Sequence, residues 1–174
     1  EIYTSVNTLS LHDALPIPDV PGLPRLPAAA LYSLPGDVVR AIGPTTEADP
    51  AAILLQYLAG FGSIIGPGPR FMVEDTPHRC NLFVALVGAT AAGKGTSWDR
   101  VAAVLRDVDP GWYEERRAHG LVSGEGLIFN VRDPRDEPDP KTGRVKRVDN
   151  GVDDKRLLAF ESELSGVFRK GNRE

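Results

Sequence analysis

Apolar residues recur along this chain in two rhythms, one helical and one extended. Ile53, Leu54, Tyr57, Leu58 and Phe61 fall at i, i+1, i+4, i+5 and i+8, a continuous stripe on one side of a helix. Asp49-Pro50 ahead of it offers a cap and a first-turn proline, so a helix is expected from Ala51 to about Phe61. A shorter helix is expected to start at Gly36-Asp37, with Val38, Val39 and Ile42 as its apolar face and Gly43-Pro44 as its stop. A third spans residues 96–108, with Val101, Val104, Leu105 and Val108 on the buried side and Asp109-Pro110 ending it. Two other runs are apolar throughout. Residues 82–87 and 157–160 have the length and composition of buried strands. Residues 70–74 read as a short strand, from which Asp75, Thr76, Pro77, His78 and Arg79 turn the chain into the 82–87 run as a hairpin. His78 and Arg79 are then solvated turn residues, and Glu114, Glu115, Arg116 and Arg117 a solvated charged face. Residues 134–154, rich in Asp, Pro, Lys and Arg, read as a surface excursion with a loose hairpin about Lys141-Thr142-Gly143.

The first apolar run leads into chemistry. It ends at Gly88, and Ala89, Thr90, Ala91, Ala92, Gly93, Lys94, Gly95 and Thr96 follow, the pattern of a phosphate-binding loop between a strand and a helix. A polyphosphate needs several backbone N–H groups aimed inward from a tight bend, which requires glycine at the bend and small residues where the backbone approaches the anion. A helix starting after Gly93 adds the positive end of its dipole, and Lys94 adds an ammonium for the β- and γ-phosphates. Gly88, Gly93, Lys94, Gly95, Thr96 and Ser97 are therefore the candidate nucleotide-binding residues. The position after the lysine, ordinarily a Ser or Thr whose hydroxyl ligates magnesium, is Gly95 here. The metal must instead be held by Thr96, by carboxylates elsewhere or through water. The competing structural reading is a Gly/Ala-rich turn that binds nothing.

The second run ends in acid. After Leu157, Leu158, Ala159 and Phe160 come Glu161, Ser162 and Glu163. An apolar strand ending in carboxylates is what a P-loop ATPase sets opposite its phosphates. One carboxylate then holds magnesium, directly or through water, and a second orients or deprotonates the attacking water; Glu161 and Glu163 are the catalytic candidates, with Glu161 also the candidate metal ligand and Ser162 a minor one. The alternative is a strand running into a helix whose acidic start merely suits the dipole. Ser123 likewise can cap a helix whose first turn holds Glu125, which by itself needs no function.

Composition narrows the class. At 174 residues, 41% hydrophobic and 25% charged, the chain is globular, and its net charge of −4 argues against a surface coated for nucleic acid without excluding a local basic groove. A single cysteine, Cys80, rules out an internal disulfide or a cysteine zinc cluster, and no apolar run approaches the ~20 residues that span a bilayer. A cytoplasmic protein with no membrane partner is the expectation. Residues 1–17 resemble a peptide produced when sequencing-adapter reads are translated together with a gene, and residues 18–27 form a proline-rich linker.

With both stretches in hand, the chain resembles a family of uncharacterised P-loop proteins of bacteria, phages and plasmids, often the helicase-like half of primase-polymerase proteins. The resemblance runs from about Leu34 to the last residue. It rests on LPGDVVRAIGPTTEADPAAILLQYLAGFGSIIG, LVGATAAGKGTS, GLVSGEGLIFNVRD and LLAFESEL. It implies an α/β fold: an incomplete P-loop NTPase core of RecA or AAA type with parallel strands over residues 67–174, preceded by a small helical element at residues 28–66. It further implies ATP and Mg2+ as ligands, single-stranded DNA as a partner, and a homo-oligomer as the working form. Complete ATPases of this type continue beyond the acidic strand to a polar sensor and an arginine finger. This sequence reaches Asn172-Arg173-Glu174 before any such strand, so feeble turnover is expected of it alone. Two other classes stay open. One is a nucleotide kinase, suggested by the Gly93-Lys94-Gly95-Thr96 ending, with Arg144, Lys146 and Arg147 as the candidates for its arginine lid; the other is an assembly module that binds nucleotide without turnover.

Overall fold

The computed structural model describes residues 26–88, 94–119 and 124–162, with the backbone alone at Lys94. The adapter-like peptide, Gly93, Ser123 and Glu163 lie outside the described residues.

Helices build the core. Helix α1, Ser33–Ile42, starts ahead of Gly36-Asp37 because Pro35 falls in its first turn, where no intrahelical N–H is needed. Gly36 lies against the Leu31 backbone, where a Cβ would collide. Helix α2, Pro50–Ile65, begins where Asp49 accepts from the Ala51 N–H at 2.7 Å and runs a turn beyond Phe61, to Gly66 with φ +68°. Ile53, Leu54 and Tyr57 are buried, whereas Phe61, stacked on Tyr57, remains partly exposed. Helix α3, Lys94–Val108, crosses α2 closely because Gly60 has no side chain: a Cβ there would overlap Leu105. Val101 and Leu105 are enclosed as their spacing requires, but Val108, at the helix end, is exposed.

Asp109-Pro110 does more than stop α3. Asp109 caps a further helix, α4, Pro110–Glu115, accepting from the Trp112 N–H at 2.8 Å, with Pro110 in the first turn. Trp112 is 1% exposed, and its indole N–H donates to Ser63 Oγ at 3.0 Å, tying α4 to α2.

Among the described residues strands occur in three pairs. β1, Arg70–Val73, and β2, Thr76–Arg79, form an antiparallel hairpin with Val73 opposite Thr76 and the turn at Glu74-Asp75, where Glu74 has φ +52°. His78 and Arg79 are thus exposed strand residues rather than turn residues, and His78 stacks on Phe71 at 5.1 Å. β3, Arg117–His119, and β6, Leu158–Phe160, pair in parallel with Arg117 opposite Leu158 and His119 opposite Phe160. Their crossover holds α5, Gly124–Asn130, and the exposed antiparallel hairpin of β4, Arg135–Pro138, with β5, Val145–Asp149. The described fold is therefore mixed helix and strand with one parallel pair.

Two expectations are corrected. Residues 82–88 are not a buried strand: no described strand pairs with them, and Phe83 and Val87 are 98% and 96% exposed. A strand exists only where a neighbour takes its N–H and C=O groups, and composition cannot supply that neighbour. The charged quartet also divides. Glu114 and Glu115 are exposed, but Arg116 is buried, donating from Nε to Arg156 O at 2.8 Å and from Nη2 to Asn130 O at 2.7 Å. Carbonyls at the ends of elements lack intrahelical donors, and a guanidinium with five N–H groups satisfies several at once. No helix among the described residues is long and apolar enough to cross a membrane.

Candidate functional site

The start of α3 carries the predicted phosphate chemistry. Its first backbone N–H groups have no intrahelical acceptor, and the helix dipole places partial positive charge there. Gly95 and Thr96 are exposed, and a Cβ on Gly95 would meet nothing within 4 Å, so the first turn borders open space. Ser97 is fully enclosed. Of the two hydroxyl groups following Gly95, that of Thr96 is the one open to a ligand.

One turn on, Trp98 is buried and stacks face to face on Phe160, with ring centroids 4.6 Å apart and planes 19° from parallel. Phe160 is the last residue of β6, and half-buried Glu161 follows it. His119, the last residue of β3, meets the Phe160 ring edge-on at 5.5 Å. The beginning of α3 therefore lies against the C-terminal ends of the parallel pair. Lys94 precedes Trp98 by four residues, about 6 Å of helix axis. In open α/β sheets, ligands gather at this end of the strands.

The two stretches singled out in the sequence thus meet through an aromatic contact. That contact sets the first turn of α3, which holds Gly95, Thr96 and Ser97, near the strand end that Glu161 follows, and Gly88 is the last described residue of the exposed segment 82–88. Gly93, Glu163 and the Lys94 side chain fall outside the description. Among the described residues no group of three or more His, Cys, Asp or Glu converges as a metal cage. Magnesium does not need one: it keeps most of its waters and takes one or two carboxylates together with substrate phosphates. Thr96 carries a hydroxyl and Glu161 a carboxylate, the donor types that such a site could use.

Ion pairs hold β6 from its other end. Arg156 donates from Nη1 to Ile64 O at 2.9 Å and to Asp109 Oδ2 at 2.7 Å, and from Nη2 to Asp154 Oδ2 at 2.8 Å. The Leu158 N–H donates to Arg116 O at 2.9 Å. Asp154 is held below the usual carboxylate range by its hydrogen bonds from Arg156. Asp109 is lowered as well, first by the Trp112 N–H and then by Arg156, while the Arg156 guanidinium is held still more firmly charged. One cation thereby joins the end of α2, the start of α4 and the approach to β6.

Sequence reasoning missed Trp98 and Phe160 as the joint, and Arg116 and Arg156 as anchors. Tryptophan one turn into the helix was the available signal. The arginines gave none, because charge in a sequence reads as exposure until their carbonyl partners are placed. Comparison with protein-family models, with curated proteins and with solved structures finds no match for this chain.

Proposed function

We propose that this chain binds magnesium-ATP at the start of α3 and hydrolyses it, as the ATPase part of a helicase-like motor serving the replication of mobile elements. The observation that supports the reading best is the Trp98–Phe160 stack, which sets the first turn of α3 beside the strand end that carries Glu161.

In this reading Gly88, Gly93 and Gly95 let the backbone N–H groups close on the phosphates, and Lys94 balances charge on the β- and γ-phosphoryl oxygens. Thr96 would offer its hydroxyl and Glu161 its carboxylate to magnesium, while Ser97, its side chain enclosed, would contribute through the backbone. Magnesium, when bound, neutralises charge on the phosphoryl oxygens. Glu163 accepts a proton from a water that bonds to the γ-phosphorus as the bond to the β–γ bridging oxygen breaks, giving ADP and phosphate. The family resemblance adds single-stranded DNA as the polymer and a homo-oligomer as the working form. The kinase alternative has less support, because Arg147 of its candidate lid is committed to Asp136 across the β4–β5 hairpin.

Equilibrium dialysis with ATP tests the site. Lys94→Ala is expected to weaken binding at least about tenfold. Glu161→Gln is expected to retain nucleotide while losing turnover, and single-stranded DNA to stimulate the wild type. Unchanged ATP binding in Lys94→Ala overturns the proposal, and nucleotide-dependent assembly without phosphate release favours the assembly module.

A further inference from the structure

We propose that the open cleft between α3, α4 and the ends of β3 and β6 is a second binding site, which takes one nucleotide unit, a flat base carrying a phosphate. It is independent of the ATP reading. The cleft has a volume of about 390 Å³, within the range of small-molecule sites of roughly 300–1,000 Å³. Its lining on α3 runs from Trp98 to Arg106, so it extends about 12 Å along the helix axis, away from the start of α3.

Two kinds of group meet there. One is aromatic: the Trp98–Phe160 stack with His119 against its edge, and Tyr113 from α4. The other is cationic. The Arg117 guanidinium lies over the Tyr113 ring at 3.4 Å from its centroid and Arg106 at 5.8 Å. The Arg117 Nε donates to Tyr113 O at 2.5 Å, which fixes the plane of the fork, and its Nη groups find no acceptor among the described residues. Arg106 has only a loose contact with Asp107, 3.8 Å between two exposed side chains.

These features select the ligand. Among the described residues neither guanidinium has a carboxylate nearer than the 3.8 Å contact of Arg106 with Asp107, so the pair repels a cation, leaves donors unused against an apolar molecule and suits a phosphate. Bare phosphate would leave the aromatic walls without a role, whereas a flat base has a face to lay against them. Asp99, the one carboxylate among the described lining residues, is an acceptor for an amino group of the base or a sugar hydroxyl. Free mononucleotides and single strands present the same unit.

The test uses the full chain carrying Lys94→Ala, which removes the proposed ATP site, titrated by calorimetry with AMP and separately with tetrathymidylate. Saturable binding is expected. Adding Arg106→Glu should weaken it at least tenfold, and Arg106→Lys should recover most of the loss. Ala103→Trp, which fills the cleft from an exposed helix position, should weaken it comparably, with circular dichroism confirming an unchanged fold. Tighter binding of the tetramer identifies a strand as the source, and equal binding a free mononucleotide; both support the site. No saturation by either probe at millimolar concentration overturns the proposal, as does binding that survives both Arg106→Glu and Ala103→Trp. Failure here leaves the ATP reading intact, because that reading is scored by ATP binding to the chain with Lys94 in place.

Discussion

Helix α2 and residues 82–88 are both strongly apolar, yet one forms the middle of the core and the other stands in solvent. Ile53 is fully buried on α2, whereas Phe83 is almost wholly exposed. The difference lies in the backbone. A helix satisfies its own N–H and C=O groups and needs only a surface for its apolar side, which α2 finds on α1 and α3. An extended segment must find another chain segment for its hydrogen bonds before its side chains can be stacked in layers. Apolar composition therefore measures a tendency to be covered, and topology decides whether cover is present.

Stability measurements can break that comparison. The largest effect is expected from Trp112→Ala, which empties a site 1% exposed and should cost about 3–5 kcal/mol in urea denaturation. Phe83→Ala should stay within about 0.5 kcal/mol. A Phe83 cost approaching that of Trp112 would mean that the extended segment is packed after all. Gly60→Val comes next: its side chain meets Leu105 where α2 and α3 touch, and overpacking of this kind costs about 1–3 kcal/mol. A neutral result would show that the two helices can part without loss.

Acid sharpens the comparison from the side of β6, whose start is held by charges rather than by apolar cover. Asp154 and Asp109 have folded-state values below those of an open chain. Their stabilisation is therefore present in full above about pH 4, the ordinary carboxylate value, and is lost as pH falls through the lowered values. Denaturation midpoints should fall across that window in the wild type and less steeply in Arg156→Ala; parallel pH profiles would show that the network contributes nothing. A modest effect is expected at the start of α2, where Asp49→Ala removes one cap bond and should cost about 1 kcal/mol, read from the same midpoint.

Local signals in the sequence were legible where one segment contains all its own partners. Asp49-Pro50 starts α2, the helix after the glycine-rich bend begins at Lys94, and Gly143, with φ +67°, lies in the connection between β4 and β5. Readings failed where the partner is distant. Residues 76–79 became a strand because Arg70–Val73 was available to pair with them, and Arg116 became buried because the carbonyls of Asn130 and Arg156 came to it. The candidate site divides in the same way. Its glycines, lysine and carboxylates are visible as a spaced pattern, but the contact between α3 and β6 is made by Trp98 and Phe160, which are 62 residues apart in the chain.

The amino-acid sequence alone determined where α2 begins, which sides of the helices are apolar and which residue types can face a phosphate, because caps, periodicity and functional groups act over a few neighbouring residues. Only the tertiary structure decided that the start of α3 meets the end of β6, that Arg116 and Arg156 are anchors rather than surface charge, and that Arg106, Arg117 and Tyr113 share a cleft. Those contacts arise from packing and hydrogen bonds between segments far apart in the chain, and their energies exist only once the segments are side by side.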